Sequence, residues 1–154
     1  MKISEIIRPE AVKVLANVSS KKRLFQSLGE IVSSAYGIDA ETAFSALQER
    51  ETLGPTGVGH GVALPHARLD GIDAVVGAFL RLERPVDFES VDHQPVDLVF
   101  ALFAPAGSGV DHLKALALVS RTMRDAAVCA KLRANDSAET LYAVLTESTA
   151  SRAA

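Results

Sequence analysis

Residues 57–68 combine a glycine-rich loop, a short apolar strand and a histidine in an order that suits the binding of an anion. Glycines alternate with other residues over 57–61, an apolar strand is predicted over 62–64, and His66 follows the proline that ends this strand. The arrangement predicts an imidazole at a strand end, beside a loop rich in backbone N–H groups. Phosphate is the anion that such a site suits best.

The stretch GPTGVGHG over residues 54–61 has the glycine spacing of a Walker A loop without its functional residues. Where that loop carries Lys followed by Ser or Thr, this chain has His60 and Gly61. The lysine that contacts the terminal phosphates and the hydroxyl that holds Mg²⁺ are both missing, so nucleotide binding in that mode is not expected. The glycine spacing alone more often marks a tight turn with positive φ angles.

His66 is the side chain near this loop that can act as a nucleophile near neutral pH, through an unprotonated ring nitrogen. Taken alone, a histidine after a strand is more often structural or exposed. Two distant residues favour a function. Arg50 could balance a phosphoryl group with its forked donors, and His112 lies at a predicted helix N-terminus, which favours an anion. Loops that follow the strands of an α/β fold could bring these side chains together.

Apolar periodicity and capping residues predict alternating helices and strands around these side chains. Ser19 or Ser20 opens a helix that Gly37 ends, and Asp39 caps a second helix. The near-continuous apolar segments are typical of buried strands, and they predict one α/β domain over residues 1–154 with helices on both faces of a mixed sheet. The tail at 148–154 is predicted to be frayed. Residues 85–95 are predicted to be a surface excursion. The other predicted elements are strands 12–15, 62–64, 74–80 and 96–103, helices 111–124 and 125–133, and a last helix that begins near 136.

The composition argues against several classes of protein. A formal net charge of −3 gives no support for nucleic-acid binding. The one cysteine, Cys129, can form no internal disulfide, which fits a reducing compartment, and its apolar surroundings predict a buried thiol. No apolar run approaches the roughly 20 residues that cross a bilayer, and the first residues do not read as a secretory signal. The expected location is cytoplasmic, without membrane insertion.

The segment from Glu49-Arg50-Glu51 through GPTGVGHGVALPHAR (54–68) resembles the signature of enzyme IIA domains of the fructose/mannitol type. These domains belong to the phosphoenolpyruvate-dependent phosphotransferase system. Downstream, DLVFALFAP (97–105) and HLKALA (112–117) are similar to the second motif of the family. The resemblance covers about residues 3–147, and the motif GPTGVG (54–59) is most similar to that of the nitrogen-regulatory branch. It implies a mixed, about five-stranded sheet flanked by helices.

The resemblance also implies a transferase whose phosphoryl acceptor is His66. The donor would be a phosphohistidine on an HPr-like carrier protein, with Arg50 and His112 as the partners that position His66 and stabilise the transferred charge. Neither a metal nor a nucleotide cofactor is implied. The regulatory targets would be proteins such as kinases or transporters. His60 stands where many relatives carry asparagine, and it is interpreted as phosphate-supporting. The other residues with that supporting role would be Thr56, Gly57 and Gly59.

Two alternatives remain open. A sugar-specific IIA protein would keep His66 but pass its phosphate to a transporter IIB domain. A zinc protein built on His60, His66 and His112 is disfavoured, because no dense His/Cys spacing supports it and Arg50 would repel a cation. In either IIA case, carrier docking is expected on an apolar patch of Leu64, Val110 and Leu113, with the nearby acidic residues Asp70 and Asp111 affecting the association rate.

Overall fold

One mixed β-sheet forms the centre of the computed structural model, which describes the backbone of residues 1–153 and the side chains of residues 1–147. The expected fraying of the tail concerns residues 148–154, whose side chains lie outside that description. Within the described residues, the strands are β1 (Ile7–Leu15), β2 (Gly57–Gly59), β3 (Val62–Ala63), β4 (His66–Leu69), β5 (Val76–Val86) and β6 (Val96–Pro105). The helices are α1 (Ile3–Ile6), α2 (Lys21–Tyr36), α3 (Ala40–Glu51), α4 (Val110–Arg124), α5 (Ala126–Ala134) and α6 (Ala138–Ala153).

The sheet has the order β1-β5-β6-β3-β2, and β4 also pairs with β6. Antiparallel pairing joins β5 to β6 and β2 to β3, whereas β1 runs parallel to β5, and β3 and β4 run parallel to β6. The predicted mixed sheet is confirmed, and β1 is an edge strand as expected. The sheet has one strand more than the predicted five, because the chain around His66 forms two short strands.

These two short strands, β3 and β4, form one interrupted strand along β6. Val62 lies opposite Leu98 and His66 opposite Leu102, so both strands advance by four residues and the register is unchanged. Pro65 lies at the interruption, where it has no N–H to donate, while its carbonyl accepts the Leu102 N–H at 3.0 Å. The strand was predicted to stop at the proline. It instead resumes with His66 as the first residue of β4.

Side-chain caps explain where several helices begin. Ser20, Asp39 and Asp125 each accept a backbone N–H from the first turn of the helix that follows. Gly37 ends α2 in the left-handed conformation, at a φ of 72°, which glycine adopts without strain. The predicted starts of α2, α3 and α5 and the predicted end of α2 are therefore confirmed.

Helices cover both faces of the sheet. Helix α2 packs against α3 on one side, whereas α1, α4, α5 and α6 pack against one another on the other. Between these layers the sheet buries its largest side chains, and the phenylalanines Phe25, Phe79, Phe88, Phe100 and Phe103 are almost fully buried. Among the described helices, none combines the length and apolar character that crossing a bilayer requires.

Residues 85–95, predicted to be a surface excursion, are mostly exposed, but Val86, Phe88 and Ser90 are buried, so the prediction was wrong for these three. Strand β5 continues to Val86, and Phe88 is fully buried. The ring of Phe88 meets that of Phe25 edge-to-face, with centroids 5.8 Å apart, and the Lys21 ammonium lies 4.8 Å from its centroid on another side. One aromatic residue thus anchors a segment whose average composition is polar.

Candidate functional site

A cleft of about 550 Å³ brings together the three residues that the sequence singled out for chemistry. Arg50, His66 and His112 all line this cleft, hereafter the His66 cleft, together with Arg68 and Glu49. Arg50 comes from the last turn of α3, His66 from the start of β4, and His112 from the first turn of α4. Helix α3 packs on β4 and α4 packs on β6, so the paired strands β4 and β6 hold the three elements in place.

The ring of His66 has a defined tautomer. Its Nδ1 lies 3.0 Å from the carbonyl oxygen of Leu64. A carbonyl can only accept a hydrogen bond, so Nδ1 carries the proton and Nε2 keeps its lone pair. His66 is half-buried, which leaves Nε2 in the cleft as a nitrogen that can form a bond to an electrophile.

His112 lies against His66 with a different partner. The ring centroids are 5.6 Å apart at an interplanar angle of 78°, and His112 is buried. The Arg68 Nε–H donates to Nδ1 of His112 over 3.4 Å. Burial, and then the charges of His66 and Arg68, lower the pKa of His112 below the ordinary histidine value. His112 is therefore neutral near pH 7, with its proton on Nε2.

Arg50 is held at the cleft by the loop that follows α3. Its Nη1 donates to the Gly54 carbonyl over 3.1 Å. Glu51 fixes the same loop, because its carboxylate accepts the Thr56 N–H at 3.0 Å and the Thr56 hydroxyl at 2.6 Å, and binds the Lys21 ammonium at 2.9 Å. Among the described side chains, neither Arg50 nor any other arginine of this cleft forms an ion pair with a carboxylate. Its positive charge is available to an anion.

The structure does not bring the four predicted phosphate-supporting residues to this cleft. None of Thr56, Gly57, Gly59 and His60 is among the residues that line it. The buried Thr56 hydroxyl is already bonded to Glu51, and the two glycines belong to β2. A Cβ at Gly57 would collide with the side chain of Ser90, so this glycine serves close packing.

His60 lines a second cleft of about 720 Å³, hereafter the His60 cleft. Its backbone has a φ of 57°, and this conformation is held from both sides: the N–H donates to Asp92 at 3.0 Å, and the carbonyl accepts from Arg133 at 2.7 Å. The Arg133 guanidinium also binds Asp97 through two contacts of 2.9 Å. Burial raises the pKa of the Cys129 thiol in the same cleft, as expected of a buried cysteine.

The three histidines proposed for zinc do not converge, since His60 lies outside the His66 cleft. Within the described residues, no group of three or more His, Cys, Asp or Glu could hold a metal ion.

Exposed apolar side chains lie in the cleft itself and in the first turn of α4, which also carries His112. Val110 and Leu113 are each 66% exposed, and Leu53, which lines the cleft, is 82% exposed. Leu64 was predicted to belong to this patch, but that prediction was wrong because the residue is 5% exposed. The Leu64 side chain lies in the core, and its backbone carbonyl accepts the hydrogen bond from His66 Nδ1.

Arg68 also lines the cleft, although neither its residue type nor its position beside the motif predicted a role there. It is two residues beyond His66 in β4. Side chains two apart on a strand point to the same face, so a strand prediction for residues 66–69 would have placed Arg68 beside His66. The two-residue spacing of His66 and Arg68 was not read as strand spacing, because Pro65 suggested that the strand had ended.

Comparison with known proteins agrees with this geometry. Residues 5–148 match the family described as "Phosphoenolpyruvate-dependent sugar phosphotransferase system, EIIA 2". The chain is 47% identical to a nitrogen regulatory protein of Bradyrhizobium diazoefficiens, over 94% of this chain and 95% of that protein. It is 34% identical to a fructose-specific EIIA component of Haloferax volcanii, over 94% and 95%. The crystal structure of nitrogen regulatory protein IIA-Ntr from Neisseria meningitidis superposes with a TM-score of 0.85 at 36% identity, covering 94% of this chain and 99% of that one.

Proposed function

Because the chain belongs to the EIIA 2 family of the phosphoenolpyruvate-dependent sugar phosphotransferase system, we propose that it is a phosphocarrier that accepts a phosphoryl group on Nε2 of His66. The single observation that carries this proposal is the hydrogen bond from His66 Nδ1 to the Leu64 carbonyl at 3.0 Å. It leaves the Nε2 lone pair free in a cleft that also holds two arginines.

The transfer needs no net movement of protons. The donor is a phosphohistidine on an HPr-like carrier whose other ring nitrogen is protonated. As the lone pair of His66 Nε2 forms a bond to phosphorus, the P–N bond to the donor ring breaks, and its electrons return to the donor nitrogen. The donor leaves as a neutral imidazole, and the phosphorylated ring of His66 becomes a cation. The Leu64 carbonyl, already bonded to Nδ1–H, stabilises that cation.

Arg50 and His112 act on the phosphoryl group rather than on the proton. Phosphoryl transfer passes through a loose transition state with charge spread over three oxygens, so positioning and electrostatics supply most of the catalysis. Arg50 offers a guanidinium with no carboxylate partner among the described side chains. His112 offers a neutral Nε2–H, together with the free N–H groups at the start of α4.

The carrier docks on the exposed apolar surface beside His66. Leu53, Val110 and Leu113 are the described side chains that form this surface. Direct transfer between two imidazoles requires that water be excluded, which apolar contacts around both rings achieve. Asp70, which follows β4, and Asp111, in the first turn of α4, steer the carrier by charge.

Nitrogen regulation is the role that fits best, since the relative at 47% identity is a nitrogen regulatory protein and covers nearly the whole chain. In this role, the phosphorylation state of His66 governs binding to target proteins such as kinases or transporters. Phosphorylation adds negative charge to the cleft and neutralises its arginines, so the two states present different electrostatic surfaces to a target.

A labelling experiment tests the acceptor. Wild-type protein incubated with labelled phosphoenolpyruvate, enzyme I and an HPr-type carrier should take up one acid-labile phosphate. His66→Ala should take up none. His60→Asn is the matched control, because asparagine tolerates the positive φ at that position and the residue lies outside the cleft. Label that survives His66→Ala would refute the assignment.

A sugar-specific role is the second candidate, supported by the fructose-specific EIIA component at 34% identity. Phosphorylated protein would then pass its label to a sugar-transporter IIB domain. Rapid transfer to a IIB domain, at a rate comparable to uptake from the carrier, would favour this role. Retention of label in the presence of the IIB domains of the host would favour regulation.

A further inference from the structure

We propose that Arg68 is a positioning residue, which holds His112 as a neutral hydrogen-bond donor to the phosphoryl group on His66. The inference rests on the proposed function, since it assigns a partner to the same transfer. It concerns a residue that acts through His112 and need not touch the phosphate itself.

The two histidines of the cleft have opposite tautomers. Leu64 supplies only an acceptor, so His66 carries its proton on Nδ1 and exposes an Nε2 lone pair. Arg68 supplies only a donor, so His112 accepts at Nδ1 and carries its proton on Nε2. One ring therefore offers a nucleophile and the other an N–H, although the side chains are chemically identical.

This difference determines what each ring can do. With the Nδ1 lone pair of His112 engaged by Arg68, the remaining nitrogen of that ring is an N–H, which is not a nucleophile. It can donate a hydrogen bond to a phosphoryl oxygen. The ring centroids are 5.6 Å apart, close enough for a group bonded to one ring to contact the other. Arg68 thus helps make His66 the acceptor and His112 its support.

Strand geometry keeps Arg68 in place for this task. His66 and Arg68 are alternate residues of β4, which is paired with β6 at Leu102 and Ala104. Side chains two apart share one face of a strand. The pairing of β4 with β6 therefore fixes the backbone of both residues. From this position the Arg68 side chain extends to His112 on α4.

Of the charges around His112, the basic groups of His66 and Arg68 favour its neutral form, whereas carboxylates favour the protonated form. His66 and Arg68 face it from β4, Arg50 and Glu49 line the cleft from α3, and Asp111 is its neighbour on α4. A second proton on His112 would have to occupy Nδ1, the atom that already accepts from Arg68. Protonation therefore breaks this bond and adds a cation beside arginines. Removing Arg68 should relieve both costs.

Three variants test the proposal. Arg68→Met removes the donor and the charge, and Arg68→Lys keeps the charge but removes the Nε–H. Arg121→Met is the matched control, since Arg121 is also exposed and lies on the helix that carries His112, outside the cleft. Each protein is studied by ¹⁵N NMR of the imidazole nitrogens across a pH titration, and by the rate of phosphate uptake from the carrier.

In Arg68→Met, the His112 Nδ1 signal should shift as its hydrogen bond is lost, and the pKa of His112 should rise. Phosphate uptake should slow about tenfold, the effect of disorienting one hydrogen bond to a charged group. Arg68→Lys should keep the pKa of His112 near that of wild type but remain slower in transfer. Arg121→Met should match wild type throughout, and the His66 signals should be unchanged in all three.

Other outcomes would overturn the proposal. If Arg68→Lys matches wild type in both the Nδ1 signal and the rate, the arginine Nε–H is not required for the function of His112. If the His112 signals in Arg68→Met equal those of wild type, or Arg121→Met slows transfer equally, Arg68 has no specific action on His112. Wild-type protein that takes up no label would refute the proposed function and, with it, any role of Arg68 in transfer. Labelled wild type with unchanged His112 signals in Arg68→Met would refute the role of Arg68 alone.

Discussion

The two clefts that flank the interrupted strand contain the same residue types in opposite arrangements. In the His60 cleft, the Arg133 guanidinium is bound at 2.9 Å by both oxygens of Asp97 and at 2.7 Å by the His60 carbonyl. In the His66 cleft, Arg50 donates to a single backbone carbonyl at 3.1 Å. Histidine and arginine are present in both, but one arginine is neutralised and the other is not.

The comparison shows that the identity of residues does not define a reactive site. Arg133 holds the backbone of His60 in its left-handed conformation, so its charge serves the fold. Arg50 has no carboxylate partner among the described side chains, so its charge is available to a ligand. The clefts differ in the partners of their arginine guanidinium groups. The spacing of residues in the sequence does not reveal these partners.

The largest difference between the two clefts is expected when Arg50 and Arg133 are each replaced in a separate variant. Arg50→Met should slow phosphate uptake about 100-fold or more, because a cation that stabilises transition-state charge is lost. Its effect on stability should be small. Arg133→Met should leave uptake within about twofold of wild type but lower the free energy of unfolding by about 1 kcal/mol, a modest value because the ion pair is partly exposed. Uptake kinetics and urea unfolding measure the two effects, and an exchange of these results would invalidate the distinction.

A smaller effect is expected at Gly61, which packs closely against the ion pair of Arg133 and Asp97. Gly61 has a φ of 78°, and a Cβ there would lie 2.6 Å from Arg133 Nη2 and 2.9 Å from Asp97 Oδ1. Gly61→Ala should destabilise the protein by about 2 kcal/mol through backbone strain and the displaced ion pair. Gly107→Ala is the control, since a Cβ added at Gly107 would have no described neighbour within 4 Å. This variant should change the free energy of unfolding by less than about 0.5 kcal/mol. Thermal and urea unfolding measure both, and equal losses would contradict a structural role for the close packing of Gly61 against this ion pair.

The exposed apolar surface beside His66 is expected to affect binding of the carrier rather than the transfer itself. Leu113→Ser should raise the KM for the phosphorylated carrier about fivefold, since it removes part of a leucine contact that is buried only on docking. Stability should be unaffected because Leu113 is 66% exposed. Val91, 74% exposed in the turn before β6, provides the control Val91→Ser. If both variants raise KM alike, the carrier does not recognise the exposed apolar surface beside His66.

The smallest expected effect is on the pH dependence of stability. Because the folded state lowers the pKa of His112 below the ordinary value of 6.5, the unfolded chain binds the proton more readily. The contribution of His112 to stability is therefore complete above pH 6.5 and is lost as the pH falls through the folded-state pKa. Wild type should lose more stability than His112→Gln between pH 7.5 and 5.5 in urea unfolding. Parallel losses in the two proteins would show that His112 is not the group responsible.

Local signals allowed much of the fold to be predicted. The caps Ser20, Asp39 and Asp125 and the terminating Gly37 each act within one turn of the chain, so the sequence carries their information directly. The mixed sheet followed from its apolar runs. Phe88 was missed because its partner, Phe25, is 63 positions away and the residues around it are polar.

The site was predictable to a lesser degree. His66, Arg50 and His112 were selected by residue type and by family resemblance, and they do meet in one cleft. The absence of Thr56, Gly57, Gly59 and His60 from the lining of this cleft has a physical cause. Glycine-rich segments present N–H groups in many settings, and here the neighbouring partners are Glu51, Ser90 and Asp92 from other parts of the chain. Such partners are set by tertiary contacts that no local pattern records.

The unchanged register of β3 and β4 along β6 limits how this segment can vary in length. Its Leu64-Pro65 break looks like a loop, and loops usually tolerate insertions and deletions. Here, one residue more or less between Ala63 and Ala67 would shift β4 by one position against β6. Because strand side chains alternate between faces, His66 and Arg68 would then both turn away from the cleft. We therefore expect homologues to substitute residues in this break while keeping its length.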